Sequence, residues 1–492
     1  MARLRVWKRA GIVILFCITV VAEAQTFTSL ASFDGTDGSF PESISLVQGH
    51  DGNLYGTTSE DGIHQSGSDF GGVVFRVTRR GVITGLYSFC VQVNCTDGQA
   101  PWAGLVLATD GSFYGTTAHG GTLNDGTVFR MDPGGELTTL YSFCSQPSCT
   151  DGASPFAPLI QAADGSFFGT TTEGGSSESG GTVFKIDAAG VFTTLHTFKK
   201  YPDGSNPFPG LLQSEDGNFY GVTSHGGDKS CNGFIGCGTI FKMTRNGALT
   251  TLHQFELTDG ALPSQLIQAS DGNFYGTTEE GGGGLCPSGC GTAFKITPSG
   301  VLTTIYTFCS EPSCADGYAP AAGLIQATDG NLYGTTEFGG LGCTGGNCGT
   351  VFRITLDGTL TTLHSFDNTD GSAPYGGLVQ ATNGVLYGVT STGGENTCAL
   401  SLCGTVFSVD VGLGPFVAFV RPDGKVGHTG GILGQGFAGT TSVMLNGIPA
   451  DFTVVSDTFI RATVPVGTTT GYVTVTTPSG TLTSNVPFHV LP

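Results

Sequence analysis

One phrase recurs seven times along the chain and constrains the fold more than any other feature. It reads Asp-Gly-Asn-Leu-Tyr-Gly-Thr-Thr at residues 51–58. Later copies are centred on an aromatic residue that returns every 52 to 59 residues, at Tyr114, Phe168, Tyr220, Tyr275, Tyr333 and Tyr387. Such a period is typical of solenoids and propellers, and each unit is longer than a solenoid coil. The sequence therefore predicts one supersecondary unit repeated seven times.

Each unit divides into four short segments separated by turn residues. In the sixth unit these segments are residues 323–327, 331–336, 349–354 and 360–366. They are rich in Val, Ile, Thr, Tyr and Phe and are bounded by Gly, Asp, Asn and Pro, as strands and tight turns are. No segment after the N-terminal leader has a sustained 3.6-residue apolar period. Four strands in each of seven units predict an all-β fold, a seven-bladed β-propeller.

The two ends of the repeat region complement each other. The seventh unit has its third strand at residues 404–407, but no Thr-Thr-Leu-x-x-Phe strand follows it. Residues 27–33 have that pattern and precede the first complete unit. We therefore predict that the N-terminal strand closes the last blade, since this leaves no half-made blade with an open edge.

After residue 411 the repeat stops and a different pattern begins. Alternating apolar residues with turn signals every 8 to 12 residues predict a small β-sandwich. The elements Gly434-Gln-Gly-Phe437, Asn446-Gly447 and Val464-Pro465-Val-Gly467 stand in order. Over about residues 414 to 491 they resemble the IPT/TIG family of immunoglobulin-like domains. That resemblance implies binding or spacing work and no catalysis.

The repeats themselves resemble the GloVer tandem repeats of exported bacterial proteins, in the family that carries one of several C-terminal sorting anchors. The resemblance rests on Asp-Gly-Asn-x-Tyr-Gly-Thr-Thr, Gly-Gly and Gly-Thr-Val-Phe-Arg/Lys, over about residues 26 to 410. It implies no defined activity. Residues 488–492 carry neither the apolar tail nor the basic stop of such an anchor, so we do not predict one. The expected organisation is a signal peptide (1–24), a propeller (25–411) and an immunoglobulin-like domain (412–492).

The first 24 residues have the pattern of a secretory signal. Arg3, Arg5, Lys8 and Arg9 precede an uncharged apolar run, residues 11–21, and then Ala22-Glu23-Ala24. This is a signal peptide cleaved before Gln25. The alternative is a retained membrane anchor, but eleven apolar residues are fewer than the about 20 that span a bilayer. We therefore expect an extracellular or cell-surface protein whose mature chain has no membrane span.

The net charge of the chain argues against two classes of binding partner. The formal net charge is −20, and removal of the basic leader makes it more negative. Phosphate binding needs clustered Lys and Arg, so we expect no nucleic acid and no anionic membrane surface as partner.

Fourteen of the 15 cysteines follow the leader, and all of them lie in the longer loops. They form seven local pairs: Cys90/Cys95, Cys144/Cys149, Cys231/Cys237, Cys286/Cys290, Cys309/Cys314, Cys343/Cys348 and Cys398/Cys403. In an exported chain, even numbers at short spacing indicate disulfides. Thiolate metal binding is the alternative, but no unit carries a consistent second pair of ligands.

Two recurring positions have structural interpretations. Asp-Gly-x-x-Pro precedes the first strand of every unit, with the aspartates Asp37, Asp97, Asp151, Asp203, Asp259, Asp316 and Asp370. These carboxylates are suited to capping their own turns; the alternative is a ring at the channel mouth that holds calcium. A fourth-strand Tyr or His (Tyr87, Tyr141, His196, His253, Tyr306 and His364) is expected to lie between blades with its polar tip bonded. We predict no other cofactor.

The positions that differ between blades indicate the functional face. After Gly-Thr-Thr, two variable residues lead into the long loops. They supply a candidate binding face: Glu60, His119, Glu173, His225, Glu280 and Glu337. Imidazoles flanked by carboxylates suit metal binding or acid–base work, and they equally suit a solvated loop. The sequence contains no Gly-x-Ser-x-Gly, His-Glu-x-x-His or Walker loop.

We therefore predict a secreted binding or scaffold protein without catalytic residues, whose propeller loop face contacts a polysaccharide or another envelope component. One alternative is a secreted hydrolase or lyase with its site at the channel mouth, because propellers also host enzymes. The other is a structural surface protein with no small ligand.

Overall fold

The computed structural model describes residues 25–42, 45–63, 71–175, 180–231, 235–343, 348–396 and 403–491. Within these ranges the chain is all-β, with three 3₁₀ turns (Val93–Cys95, Pro147–Cys149 and Pro312–Cys314) and no α-helix. Seven sheets lie in the repeats and three sheets follow them. The predicted signal peptide lies outside the described residues. The described part of the chain holds no helix long and apolar enough to cross a membrane.

The repeat sheets, here called sheets 1 to 7 after their repeats, are antiparallel, and the strands of sheets 1 to 4 and of sheet 6 stand in chain order. Sheets 1 to 3 contain Val47–Gln48, Leu54–Thr58, Val73–Val77 and Ile83–Ser88; Val106–Leu107, Phe113–Thr117, Thr127–Met131 and Leu137–Ser142; and Ile160–Gln161, Phe167–Thr171, Thr182–Ile186 and Phe192–Thr197. Sheets 4 to 6 contain Leu211–Gln213, Phe219–Thr223, Thr239–Met243 and Leu249–Gln254; Ile267–Gln268, Phe274–Glu280, Thr292–Ile296 and Leu302–Thr307; and Ile325–Gln326, Leu332–Thr336, Thr350–Ile354 and Leu360–Ser365. Sheet 5 has an additional strand, Ala261–Pro263, which pairs with Phe274–Glu280.

Sheet 7 joins the two ends of the repeat region. Its first three strands are Val379–Gln380, Leu386–Thr390 and Thr405–Asp410, and its fourth is the N-terminal strand Thr26–Ser32. The register runs antiparallel from Thr26 opposite Asp410 to Ser32 opposite Thr405. The predicted pairing of the N-terminal strand with the last repeat is therefore present.

The glycine of the repeated phrase is required because an aromatic ring lies over it. Gly334 faces Phe352 across the second and third strands of sheet 6. A Cβ at Gly334 would lie 2.7 Å from Phe352 Cζ. The same arrangement recurs in Gly115/Phe129, Gly169/Phe184, Gly221/Phe241, Gly276/Phe294 and Gly388/Phe407. A strand glycine marks a close approach of this kind, so the motif packs a buried phenylalanine within every sheet.

The Asp-Gly-Asn turn joins the first and second strands. In sheet 5, Asp271 accepts hydrogen bonds from the backbone N–H of Asn273 at 3.0 Å and from the Tyr275 hydroxyl at 2.9 Å. Gly272 has φ +79°, a left-handed conformation that favours glycine. Burial alone would raise the pKa of Asp271, but hydrogen bonds from Lys295 and Asn273 outweigh it and lower the pKa to about 2.

Apolar cores lie between neighbouring sheets. Tyr114 of sheet 2 stacks on Phe167 of sheet 3 with ring centroids 4.0 Å apart. Sheets 1 and 7 share a core in the same way, because Leu54 and Tyr387 belong to one buried cluster. The first and last repeats are therefore neighbours in space.

A glutamine contact repeats between sheets. The first-strand Gln380 of sheet 7 accepts a hydrogen bond from the Thr328 N–H of sheet 6 at 3.0 Å. Gln48 of sheet 1 accepts one from the Thr382 N–H of sheet 7 at 2.9 Å. The contact that joins a repeat to the one before it thus also joins the first repeat to the last.

The C-terminal region forms two four-stranded sheets and one parallel pair. The first sheet has the order Ala418–Phe419, Thr429–Leu433, Phe459–Thr463 and Phe452–Ser456, and the second has Ile448–Pro449, Ser442–Leu445, Val473–Thr477 and Gly480–Thr483. Asp423–Lys425 pairs with His489–Leu491. Ile432, Ile460, Leu445 and Val475 from both sheets share one buried core, so the two sheets pack face to face. We call this region the C-terminal sandwich.

Candidate binding site at the central cavity

A cavity of about 230 Å³ is surrounded by the repeat sheets. Residues of repeats 1, 3, 4, 5, 6 and 7 line it, so six repeats face one space, here called the central cavity. Its lining includes Ser224 and His225, which directly follow the second strand of sheet 4, and Glu279 near the end of the second strand of sheet 5. The central cavity therefore opens at the level where the long second-to-third loops begin.

The predicted candidate residues do not all occupy one register. Five of them form the same antiparallel bridge with the Asp-Gly segment of their own repeat: Glu60, His119, Glu173, His225 and Glu280. Glu337 stands one position earlier, because its neighbour Phe338 makes that bridge in repeat 6. Side chains of adjacent strand residues point to opposite faces. Glu337 therefore groups with Glu279 and not with the other predicted residues.

His225 is the member of the predicted set that lines the central cavity. Burial, and to a lesser degree Lys200, lowers the pKa of its imidazole. Its Nδ1 is buried and has no hydrogen-bond partner among the described residues. His225 therefore places an imidazole whose neutral form is favoured at the wall of the cavity.

Two aromatic side chains, Phe156 and Phe208, line the central cavity, and Trp102 packs against Phe156. Trp102, Phe156 and Phe208 each follow the proline of Asp-Gly-x-x-Pro, in repeats 2, 3 and 4. The Phe156 ring lies edge-on to Trp102, with centroids 5.6 Å apart, and is stacked on Phe208 at 5.3 Å. The His119 ring meets Phe156 edge-on at 6.4 Å. All three aromatic side chains are half-buried, so this aromatic arc offers apolar surface to a ligand.

Three carboxyl groups lie near one another, and one of them, Glu279, lines the central cavity. In repeats 5 and 6 the residue after the proline is small, Ser264 or Ala321, and the second strands contribute Glu279 and Glu337 instead. In repeat 1 the position after the proline is Glu42. We call Glu42, Glu279 and Glu337 the carboxyl arc.

Burial and mutual repulsion set the protonation of the carboxyl arc. Burial, with repulsion from Glu60, raises the pKa of Glu42 to about 7. Burial, with repulsion from Glu279 and Glu42, raises the pKa of Glu337 to about 7. Burial raises the pKa of Glu279 as well. Glu42 and Glu337 therefore carry protons at mildly acidic pH, where each one donates and accepts hydrogen bonds.

Tyr375 connects the carboxyl arc to the central cavity, which it lines. Burial, followed by the charges of Glu279, Glu337 and Glu42, raises the pKa of its phenol well above the usual range. Its hydroxyl therefore keeps its proton, so the cavity has a fixed donor beside ionisable acceptors.

The seven repeated aspartates lie in the segments that precede the first strands, and most are bonded to their own loop. Asp316 accepts hydrogen bonds from the Tyr306 hydroxyl at 2.8 Å and from the N–H groups of Ser310 and Glu311 at 2.9 and 3.1 Å. The fourth-strand partners of the others are Tyr87 for Asp97, Tyr141 for Asp151, His196 for Asp203, His253 for Asp259 and His364 for Asp370. The polar tip of each fourth-strand Tyr or His is therefore bonded, as expected.

Asp37 differs because Ala31 occupies the Tyr/His position in the N-terminal strand. It accepts a hydrogen bond from the Asp34 N–H at 2.8 Å, and burial raises its pKa to about 6. The aspartates thus hold loops together, and a calcium ring built from them stays a prediction.

Six of the predicted disulfides are formed: Cys90–Cys95, Cys144–Cys149, Cys231–Cys237, Cys286–Cys290, Cys309–Cys314 and Cys343–Cys348. Cys403 is also disulfide-bonded, and its predicted partner Cys398 lies outside the described residues. Within the described ranges, three potential metal ligands approach within 4.8 Å in two places, each of which includes disulfide cysteines. A disulfide sulfur is not a thiolate, so these sets lack the ligand that zinc prefers.

Sequence reasoning missed the aromatic arc, Glu42 and Tyr375. The available signal was the residue after the proline of Asp-Gly-x-x-Pro, which changes from repeat to repeat while the three defining residues persist. Glu279 stands at one of the variable positions after Gly-Thr-Thr, but its neighbour Glu280 was the candidate chosen there.

The fold and the site together place the chain in the class of all-β repeat proteins with disulfide-linked loops and a central cavity. The chain belongs to the Gloeobacter/Verrucomicrobia repeat family, whose profile matches residues 11–144, 63–235 and 229–444. No curated protein matches the sequence.

Several solved structures are similar to the chain at low identity. A proposed 6-phosphogluconolactonase from Bacteroides uniformis is 19% identical, with 68% of this chain and 88% of that chain covered and a TM-score of 0.44. The extracellular domain of a proposed hybrid two-component system from B. thetaiotaomicron is 11% identical, with 89% and 50% covered and a TM-score of 0.47. A luciferin-regenerating enzyme is 12% identical, with 63% and 92% covered and a TM-score of 0.39. At these scores we base no argument on them.

Proposed function

We propose that the chain is an exported saccharide-binding protein. Residues 25–411 form a seven-bladed β-propeller whose central cavity holds the saccharide, and residues 412–492 form an immunoglobulin-like domain of the IPT/TIG type. The pairing of Thr26–Ser32 with Thr405–Asp410 and the Gln48–Thr382 hydrogen bond support a closed ring of seven blades. The two packed sheets of the C-terminal sandwich support the immunoglobulin-like assignment.

Export is supported by two independent features. The leader has the basic start, apolar run and small residues of a signal peptide. Six described disulfides fit a protein that matures in an oxidising compartment.

The observation that carries the binding proposal is the pairing of an aromatic arc with a carboxyl arc around one cavity. A pyranose ring has an apolar C–H face and a rim of hydroxyls. The rings of Phe156 and Phe208, which line the cavity, match the first, because aromatic rings bury apolar surface at low entropic cost. Glu279, the Tyr375 hydroxyl and His225, which also line the cavity, match the second, because hydroxyls need both donors and acceptors.

The test is retention of the full mature chain on a panel of polysaccharides and cell-wall preparations, with and without EDTA. Phe208→Ala removes one face of the aromatic arc, and Tyr472→Ala removes a 52% exposed aromatic of the C-terminal sandwich as the matched control. We expect Phe208→Ala to weaken binding about tenfold, equivalent to about 1.4 kcal/mol, while Tyr472→Ala has no effect. Binding lost with EDTA would bring back the calcium prediction, and no retention on any preparation would refute the proposal.

A second candidate function, cleavage of a glycosidic bond by a hydrolase or a lyase, is favoured by one observation. Glu42 and Glu337 have pKa values raised to about 7, and a general acid that works near neutral pH needs such a carboxyl. The retained polysaccharide should then be cleaved by the wild-type protein and not by Glu337→Gln. Binding without any product over a long incubation would exclude this function and leave the binding role.

A further inference from the structure

A second cavity of about 310 Å³ continues the central cavity toward the C-terminal sandwich. We call it the inner chamber. Leu46, Leu105 and Leu159, each of which directly precedes the first strand of its sheet, form part of its wall. Ser45, Pro158 and Gln265 line both cavities, so the two spaces adjoin at the level of these three residues.

These three residues form a neck. The residue just before the leucine at the start of each first-strand segment carries a side chain in repeats 1, 3 and 5 and is glycine in the other four: Ser45, Gly104, Pro158, Gly210, Gln265, Gly323 and Gly377. The glycines press against their neighbours, since a Cβ at Gly377 would lie 2.5 Å from Ser45 Oγ and one at Gly104 would lie 2.9 Å from the Ser45 carbonyl oxygen. The neck is therefore already packed where glycine stands.

The floor of the inner chamber is the C-terminal sandwich. Phe419, Val420 and Leu433 line it. Leu433 also lies in one buried core with Tyr55, Leu105 and Phe113 of repeats 1 and 2. A floor that shares the hydrophobic core of the repeats is part of the folded unit.

Ring stacking and polar contacts hold the C-terminal sandwich against several repeats. The His50 ring of repeat 1 stacks on Phe459 with centroids 3.7 Å apart. Arg79 Nη1 donates to Gln435 Oε1 at 2.7 Å. Further contacts reach repeats 3, 4 and 7: Arg421 to the Ala162 carbonyl at 3.4 Å, His489 to Glu215 at 3.5 Å, and Thr382 to the Gly434 carbonyl at 3.2 Å.

We infer that the C-terminal sandwich plugs the propeller channel, and that the central cavity binds the end of a saccharide chain. This inference rests on the proposed function. A chain cannot thread through a channel whose far end is closed by Phe419, Val420 and Leu433. The central cavity is also smaller than the roughly 300–1,000 Å³ of pockets that enclose drug-sized ligands. It therefore suits a terminal sugar, with the rest of the chain leaving through the long-loop face.

The experiment compares linear oligosaccharides with cyclic ones built from the same sugar and linkage, in the linkage type that the full mature chain retains. Isothermal titration should give at least tenfold tighter binding for the linear form, because a ring of sugars has no end to insert. Equal affinities would overturn chain-end recognition and leave saccharide binding intact. Binding of neither form would refute the proposed function and this inference with it.

A neck variant gives a second readout on the linear oligosaccharide. Gln265→Trp should lower its affinity at least tenfold, because the larger side chain fills the bottom of the central cavity. Val466→Trp places the same side chain at an 85% exposed site of the C-terminal sandwich and should leave the affinity unchanged. An unchanged affinity in Gln265→Trp, with the thermal stability of the wild type, would show that the sugar does not reach the neck and would overturn the inference.

Discussion

Replacing Gly334 with alanine tests the physical reason for the repeated phrase. The added Cβ would lie 2.7 Å from Phe352 Cζ and 2.8 Å from Leu324 Cδ2. Both neighbours are buried, at 0% and 2% exposure, so neither can move into solvent. Overpacking of this kind costs roughly 1–3 kcal/mol, and we expect that loss in the free energy of unfolding by urea, followed by far-ultraviolet circular dichroism.

The matched control is Gly430→Ala in the strand Thr429–Leu433, where an added Cβ meets nothing within 4 Å. It should be neutral or stabilise by a few tenths of a kcal/mol, since alanine lowers the entropy of the unfolded chain. In a Phe352→Leu background the cost of Gly334→Ala should be smaller, because the ring has gone and only the contact with Leu324 remains. Equal effects of Gly334→Ala and Gly430→Ala, or an undiminished cost in that background, would refute the packing argument.

Three further predictions address the carboxyl arc, the floor and the loops. The folded state raises the pKa of Glu337 to about 7 from its ordinary 4.5. The stability that the protonated carboxyl contributes is therefore fully present below pH 4.5 and is lost as the pH rises through 7. Glu337→Gln should match the wild type at pH 4 and be more stable by up to about 3 kcal/mol at pH 8, whereas the exposed control Glu395→Gln should show no such difference. Phe459→Ala should cost roughly 3–5 kcal/mol and split the calorimetric transition in two, whereas one unchanged transition would argue against a shared core. Replacing Cys309 and Cys314 with serine should cost about 2 kcal/mol or less, because so short a loop restricts the unfolded chain little; a much larger loss by thermal unfolding would mean that the disulfide links more than its own loop.

The repeat architecture was predictable because its signals are local. Alternation, turn residues and the period indicated four strands per repeat, and the unmatched pattern of residues 27–33 indicated the partner of Thr405–Asp410. The first strands are shorter than expected, as in Ile325–Gln326, since Gly323 lines the central cavity instead of pairing. The additional strand Ala261–Pro263 had no signal in the sequence.

The candidate site was only partly predictable because it depends on convergence between repeats. Of the predicted residues after Gly-Thr-Thr, His225 lines the central cavity. The sequence did not indicate that Glu337 and Glu280 differ in register, which an antiparallel bridge decides. Phe156 and Tyr375 line one cavity although about 220 residues separate them in the sequence.

The most direct measurement of the central claim uses the fluorescence of Trp102. The chain has two tryptophans, and the other is Trp7 in the predicted leader, so the chain from Gln25 onward carries one natural reporter in the aromatic arc. Titration with the retained oligosaccharide should change the emission of Trp102 saturably, with the same midpoint as calorimetry, and Phe208→Ala should shift that midpoint. Calorimetric binding that leaves Trp102 emission unchanged would place the ligand elsewhere and contradict the account.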